Sequence, residues 1–233
     1  VSYIKDCIGV LKNYFHSISI EVYPLTETEY ASLVAVDVDG LTIYQETYDE
    51  KLYSEIHPAG PKKDYLFRLN APERGAESGM KHIHLGTLLG LADWRKEVFF
   101  TGLHAKYIRA QFPGVEIGVS IPRLRPHVGN VSSFQKVSDK NIVQIVLALR
   151  LFLINANISL STRESPEFRD HLLPLGITNI SAGSVTKVGG YTGRASDDAQ
   201  PQFEIADHRS ADEIVAMLRE KGYAPVFKDW LII

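Results

Sequence analysis

The chain has 233 residues, 45% of them hydrophobic and 23% charged, with 25 basic against 28 acidic side chains and a formal net charge of -3. An ordinary apolar fraction with balanced charge excludes a disordered chain, the missing basic excess argues against a nucleic-acid partner, and no apolar run approaches the ~20 residues that cross a bilayer. The one cysteine, Cys7, forms no internal disulfide, which points to a reducing, cytoplasmic setting. Alone it cannot ligate zinc or an iron–sulfur cluster. The chain opens on Val1 without a signal peptide and reads as the internal or C-terminal part of a longer protein.

Val1, Ile4, Ile8, Leu11 and Phe15 recur at spacings of three and four, the period of an amphipathic helix. Residues 17–23 (SISIEVY) alternate, with Ile18, Ile20 and Val22 on one face of a strand. Thr26 and Glu29 form a capping box that starts a helix through Ala35. A strand at 40–45 and a short helix at 49–56 follow. The turn-rich loop 57–63 (HPAGPKK) leads into helical sequence over 64–78, kinked near Pro72 and closed by Gly79.

Residues 82–89 are the third strand. Asp93 caps a long helix to Phe112, with Trp94, Val98, Leu103, Ala105 and Ile108 on its inner side. A fourth strand covers 115–122, a loop 129–137, and Ser138 caps an apolar helix to Leu153. The fifth strand is 157–162, and Ser165-Pro166 opens the next helix in the favoured cap-then-proline order. The sixth strand is 177–181, and polar, glycine-rich 187–202 is expected to be a mobile loop. Ser210 and Glu213 form a second capping box, Gly222 ends that helix, and 224–227 reads as a tail strand.

Six strand–helix alternations predict a parallel sheet with helical crossovers. The strands are rich in Ile, Val and Leu, as in strands covered on both faces. One domain over 1–233 is expected, either a doubly wound open sheet or part of a (β/α)8 TIM-type barrel that lacks two strands.

In a barrel, chemistry collects at the C-terminal strand ends. There the sequence offers Tyr44-Gln45-Glu46-Thr47, Arg123-Leu124-Arg125, Ser161-Thr162-Arg163-Glu164 and Ser181-Ala182-Gly183-Ser184. Such fixed cations and hydroxyls suit a substrate carboxylate. Any one of these charges is as readily a solvated rim group, Arg163 with Glu164 for example. His82 and His84 share a strand face but have no third ligand at a recognisable spacing, so a structural role is expected for them. No nucleophile elbow, phosphate loop or dinucleotide fingerprint is present.

Five longer strings carry a resemblance: Tyr44-Gln45-Glu46-Thr47-Tyr48, Leu89-Gly90-Leu91-Ala92-Asp93-Trp94-Arg95, Pro122-Arg123-Leu124-Arg125-Pro126, Leu160-Ser161-Thr162-Arg163-Glu164-Ser165-Pro166 and Lys228-Asp229-Trp230. Together they resemble the 2-iminoacetate synthase family, the radical S-adenosylmethionine (SAM) tyrosine lyases of thiamine thiazole biosynthesis. The resemblance runs nearly end to end. It implies a partial barrel made of the family's strands three to eight, including its C-terminal thiamine-synthesis-associated region. It also implies a [4Fe–4S] cluster and SAM as cofactors of the full-length enzyme, although the family's three-cysteine cluster loop is absent here. The chain alone is therefore expected to be inactive.

The implied reaction is cleavage of the Cα–Cβ bond of L-tyrosine to 2-iminoacetate and p-cresol, with thiazole synthase as partner. By family correspondence, Glu46 and Arg68 contact SAM, and Arg163 with Ser161 grips the tyrosine carboxylate. Arg123 and Arg125 match the family string and are placed with them at the substrate rim. No residue is assigned as catalytic and none as a metal ligand. Two other readings are a hydrogenase-maturation tyrosine lyase, which carries a cysteine-bearing C-terminal extension not seen here, and a non-catalytic barrel fragment that only binds. Open sheet edges would favour self-association.

Overall fold

The computed structural model describes residues 1–124, 135–187, 189–192 and 203–227. Six strands form one sheet, all parallel, in the order β1 to β6: Ser19–Glu21, Gly40–Tyr44, His82–Gly86, Glu116–Ser120, Asn157–Leu160 and Asn179–Ile180. A doubly wound sheet reverses its strand order at a switch point. This order never reverses, so right-handed crossovers carry every helix to the same side and the sheet curls into part of a barrel. The partial-barrel expectation holds.

Nine α-helices lie among the described residues: α1 Ser2–Leu11, α2 Glu27–Val34, α3 Glu50–Ile56, α4 Tyr65–Leu69, α5 Ala71–Glu77, α6 Trp94–Gln111, α7 Asp139–Phe152, α8 Pro166–Leu172 and α9 Ala211–Glu220. The starts follow local chemistry. Thr26, Ser138 and Ser210 each close a complete capping box, and Asp93 accepts from the Arg95 and Lys96 N–H groups. Proline at the head of α5 splits the expected kinked helix into α4 and α5, with Asn70 as the break.

The core lies between the sheet and its helices. Ile20, Leu41, Ile43, Ile83, Leu85, Ile117, Val119, Ile158 and Leu160 point outward from the barrel and are buried against Leu33, Ala76, Ala105, Ile108, Ile142, Ile145 and Leu149. A satellite cluster of Leu173, Ile214 and Met217 holds α9.

Several expectations are corrected. The strands are not apolar on both faces. Their inner positions, Ser19, Glu21, Thr42, Tyr44, His84, Ser120, Asn157 and Ser159, are polar. The first helix ends at Leu11, and Phe15 stands exposed beyond it. Leu103 lies on the solvent side of α6 at 39% exposure, because an inward stripe already formed by Trp94, Val98, Ala105 and Ile108 leaves it off the seam. Residues 224–227 have no strand partner and form no strand. Of the loop 187–202, Gly190–Thr192 is a single 3-10 turn, while Val188 and 193–202, like 125–134, fall outside the described residues.

Candidate functional site

The inner wall is built on two glycines. A Cβ at Gly86 would stand 2.2 Å from the Tyr44 ring, and one at Gly118 would stand 2.2 Å from His84 Nδ1. Each glycine is thus the seat on which a neighbouring strand's ring lies flat across the wall. His84 Nε2 meets Ser120 Oγ at 2.8 Å, and Ser120 lies in the same cross-strand row as Tyr44, two strands away. Burial lowers His84 to about 4, so its imidazole is neutral near pH 7, and burial raises Tyr44. The Tyr44–Ser120–His84 part of the wall is polar but uncharged. His82 Nδ1 lies 3.0 Å from Glu116, and no three-ligand metal cluster occurs among the described residues.

Charge sits above this wall, at the C-terminal ends of the strands. Just past β2, Glu46 has φ 70, a left-handed conformation uncommon for glutamate. Its Oε1 takes Arg68 Nη2 at 3.3 Å and Lys62 Nζ at 3.0 Å. Arg68, from α4, is 5% exposed and anchors its Nε on the Tyr44 carbonyl at 2.7 Å. Its Nη1 is buried without a hydrogen-bond partner. Two cations therefore share one carboxylate, and one buried N–H remains to be satisfied. Such a group is costly unless a ligand takes it.

Across the rim, past β5, Ser161 Oγ accepts from the Arg163 backbone N–H at 3.2 Å. The Thr162 carbonyl accepts from the N–H groups of Ala206 and Asp207 at 2.9 and 3.0 Å. These bonds pin the returning segment beneath the Arg163 guanidinium, which lies 3.7 Å from the Phe203 ring centroid. Arg123 faces a different set. Its Nε donates to Glu164 at 2.9 Å, its Nη2 pairs with the same carboxylate, and its Nη1 reaches the Val137 carbonyl at 2.9 Å and Asp139 at 2.8 Å. Burial pushes its pKa down, but Glu164 and Asp139 more than offset that and raise it. This engagement makes Arg123 a brace between the ends of β4 and β5. Arg125 lies outside the described residues.

The structure thus joins Glu46 to Arg68 directly, sets Arg163 on Ser161's turn, and ties Arg123 to Glu164 instead of presenting it to the mouth. Glu21, at the end of β1, belongs to the same constellation and was missed by sequence reasoning. Although the residue keeps an exposed surface at the edge strand, protein packed about its carboxyl raises its pKa, the Glu46 charge adds to this, and Arg163, Lys62 and Arg68 oppose it. The alternation of Ile18, Ile20 and Val22 was the available signal, since it puts Ser19 and Glu21 on the inner face. Lys62 was also missed, because it enters from the loop before α4.

The profile of the Biotin and Thiamin Synthesis associated domain matches residues 120–224. The 2-iminoacetate synthase of Salmonella typhimurium is 38% identical over 232 residues, 99% of this chain and 61% of that protein. The 2-iminoacetate synthase of Escherichia coli is 39% identical, with the same coverage. The X-ray structure of the FeFe-hydrogenase maturase HydG from Carboxydothermus hydrogenoformans superimposes with a TM-score of 0.85 at 37% identity, over 95% of this chain and 51% of that one. The chain spans about three-fifths of the length of the curated relatives it matches. Along nearly all of its own length, on a parallel partial barrel, it is similar to the 2-iminoacetate synthases.

Proposed function

We propose that the protein containing this chain is a radical SAM tyrosine lyase that splits L-tyrosine at Cα–Cβ into 2-iminoacetate and p-cresol, and that it serves thiazole synthase in thiamine biosynthesis. The observation that carries this reading is the pair of opposed anion-binding groups at one rim, in a chain that aligns over 99% of its own length with part of a 2-iminoacetate synthase.

The Glu46–Arg68–Lys62 cluster fits an amino-acid head group. Glu46 accepts from an ammonium or a ribose hydroxyl. Arg68, whose buried Nη1 lacks a partner, and Lys62 answer a carboxylate. SAM, when bound, supplies the carbon radical that begins the reaction. A [4Fe–4S] centre does not fit the residues of this chain, since its one cysteine falls short of the thiolates such a centre requires.

Arg163 takes the tyrosine carboxylate. Stacking on Phe203 fixes the plane of its guanidinium, so the direction of its N–H edge is set before substrate arrives. Ser161 holds the turn that carries it. The neutral Tyr44–Ser120–His84 wall orients substrate by hydrogen bonds without adding charge. A substrate held this closely presents one hydrogen to the radical, and the curled sheet excludes water from the product.

The test is anaerobic turnover of the full-length, cluster-loaded protein with SAM, reductant and tyrosine. Release of p-cresol together with 5′-deoxyadenosine is expected. Arg163→Lys should lower both tyrosine affinity and the p-cresol formed per 5′-deoxyadenosine. SAM cleavage without p-cresol would overturn the reading, and release of carbon monoxide and cyanide would replace it with the hydrogenase-maturation activity.

A further inference from the structure

Glu97 is a buried carboxylate that the scheme above does not use and that no cation pairs with among the described residues. It sits in the first turn of α6, behind the rim loop, at 2% exposure. Oε1 accepts from Thr47 Oγ1 at 2.8 Å, and Oε2 accepts from the Tyr48 N–H at 2.9 Å and from Thr87 Oγ1 at 2.8 Å. Among the described residues no lysine, arginine or histidine ion-pairs with it. A buried charge with no counter-ion persists only where neutral donors replace water around it. Here all three donors come from the two loops that leave β2 and β3.

Those loops flank Glu46. Its carbonyl accepts from the Leu88 N–H at 2.9 Å and lies 2.8 Å from Thr87 Oγ1, the hydroxyl that also reaches Glu97. Thr47 Oγ1 in turn accepts from the Asp49 N–H at 3.1 Å, and Asp49 caps α3. The left-handed backbone of Glu46 is therefore held on both sides, by Thr47 and Tyr48 ahead and by Thr87 and Leu88 beneath. A glutamate does not keep φ 70 unaided. Released, it would relax and swing its carboxylate away from Arg68 and Lys62.

We infer that Glu97 is a positioning residue for SAM: by gathering Thr47, Tyr48 and Thr87 it locks the strained turn that aims Glu46 at the SAM head group. The inference rests on the SAM role proposed for Glu46 and Arg68. It places a determinant of cofactor binding behind the sheet, on a helix that does not itself line the mouth.

The experiment measures SAM and tyrosine dissociation constants by equilibrium dialysis in full-length, cluster-loaded protein carrying Glu46→Gln, Glu97→Gln or both. Glu97→Gln keeps the shape but loses an acceptor. It should weaken SAM binding roughly tenfold and leave tyrosine binding unchanged. The double variant should bind SAM no more weakly than Glu46→Gln alone, within about twofold, because one residue acts through the other. If Glu97→Gln does not fold, Thr47→Val breaks the same strut and Thr47→Ser restores it, so only the first should lose SAM. Unchanged SAM affinity in Glu97→Gln beside a loss in Glu46→Gln overturns the inference and leaves the SAM site standing. Additive losses overturn it as well, and equal losses for SAM and tyrosine would mark a general structural role. Unchanged SAM affinity in Glu46→Gln defeats the SAM role of Glu46 itself.

Discussion

Arg68 and Arg169 are both enclosed, both paired with a carboxylate, and each carries one buried nitrogen without a partner, Nη1 in the first and Nε in the second. Their surroundings differ. Arg169 and Asp207 are 0% exposed, and Arg209 and Asp170 complete a cluster of two guanidinia against two carboxylates. Arg169 also donates to the Ser181 carbonyl. Around Arg68 the balance is different: Arg68 and Lys62 share the Glu46 carboxylate, Arg163 and Glu21 add one charge of each sign nearby, and Lys62 is 43% exposed. A neutral, sealed cluster has no use for another ligand, so its leftover N–H is only a cost. A cluster with excess positive charge beside an opening is poised for an anion. The first fastens the segment that brings Phe203 under Arg163, and the second is the one proposed to receive a ligand.

The sharpest way to break this comparison is to open the sealed cluster. Arg169→Ala removes a fully buried guanidinium, leaves Asp207 with Arg209 as its one cation and empties the space the side chain filled, and should cost about 3–5 kcal/mol in urea denaturation. A loss below 1 kcal/mol would mean that the pair is not the fastening assumed. Acid offers a second reading. Burial would raise Asp207, but hydrogen bonds from Arg209 and Arg169 hold it at about 2, below its ordinary 3.8. A depressed folded-state pKa contributes stability that is complete above the unfolded value and lost as pH falls through the folded one. The cluster should therefore weaken between pH 3.8 and about 2. Asp207→Asn should flatten that part of the stability profile, as followed by urea midpoints across the acid range.

Arg68→Ala tests the receiving cluster. It should weaken SAM binding to the full-length, cluster-loaded protein by about 1.5–3 kcal/mol, the scale of a charge-assisted hydrogen bond. Its cost to folding should be smaller than that of Arg169→Ala, since the Glu46 carboxylate left behind keeps Lys62 and is 19% exposed. Equal folding losses with unchanged SAM affinity would erase the distinction between the two arginines.

The sequence made one of these clusters more legible than the other. Helix starts were readable because a cap and its box lie within four residues, as at Thr26, Ser138 and Ser210. The six strands were readable from apolar runs, but the polar inner face was not, because counting Ile, Val and Leu hides the alternation of Thr42, Tyr44 and Ser120 between them. Residues 224–227 look like a strand and form none, since β-propensity needs a neighbour to pair with. Glu46, Arg68 and Arg163 could be named through family strings. That Arg123 turns to Glu164 depends on how β4 and β5 lie side by side, and that Phe203 lies under Arg163 depends on a segment returning to Thr162. Neither follows from local spacing.

The smallest expected effect comes from an ion pair on the exposed surface. Lys12 and Asp37 meet at 3.3 Å with side chains 48% and 72% exposed, and Asp37 has φ 75. Water and salt screen such a pair, so its removal should cost about 0–1 kcal/mol. Two substitutions separate charge from backbone. Asp37→Asn removes the charge and keeps a side chain that tolerates the left-handed region. Asp37→Gly removes the same charge but also the strain, at the expense of a more flexible unfolded chain. If burial governs what an ion pair is worth here, Asn should be nearly neutral in urea denaturation and insensitive to added salt, and Gly should match or exceed it. A loss above 1 kcal/mol in both, restored by neither backbone choice, would show that an exposed pair can act as the sealed one does, and the contrast between Arg68 and Arg169 could no longer be laid to their exposure.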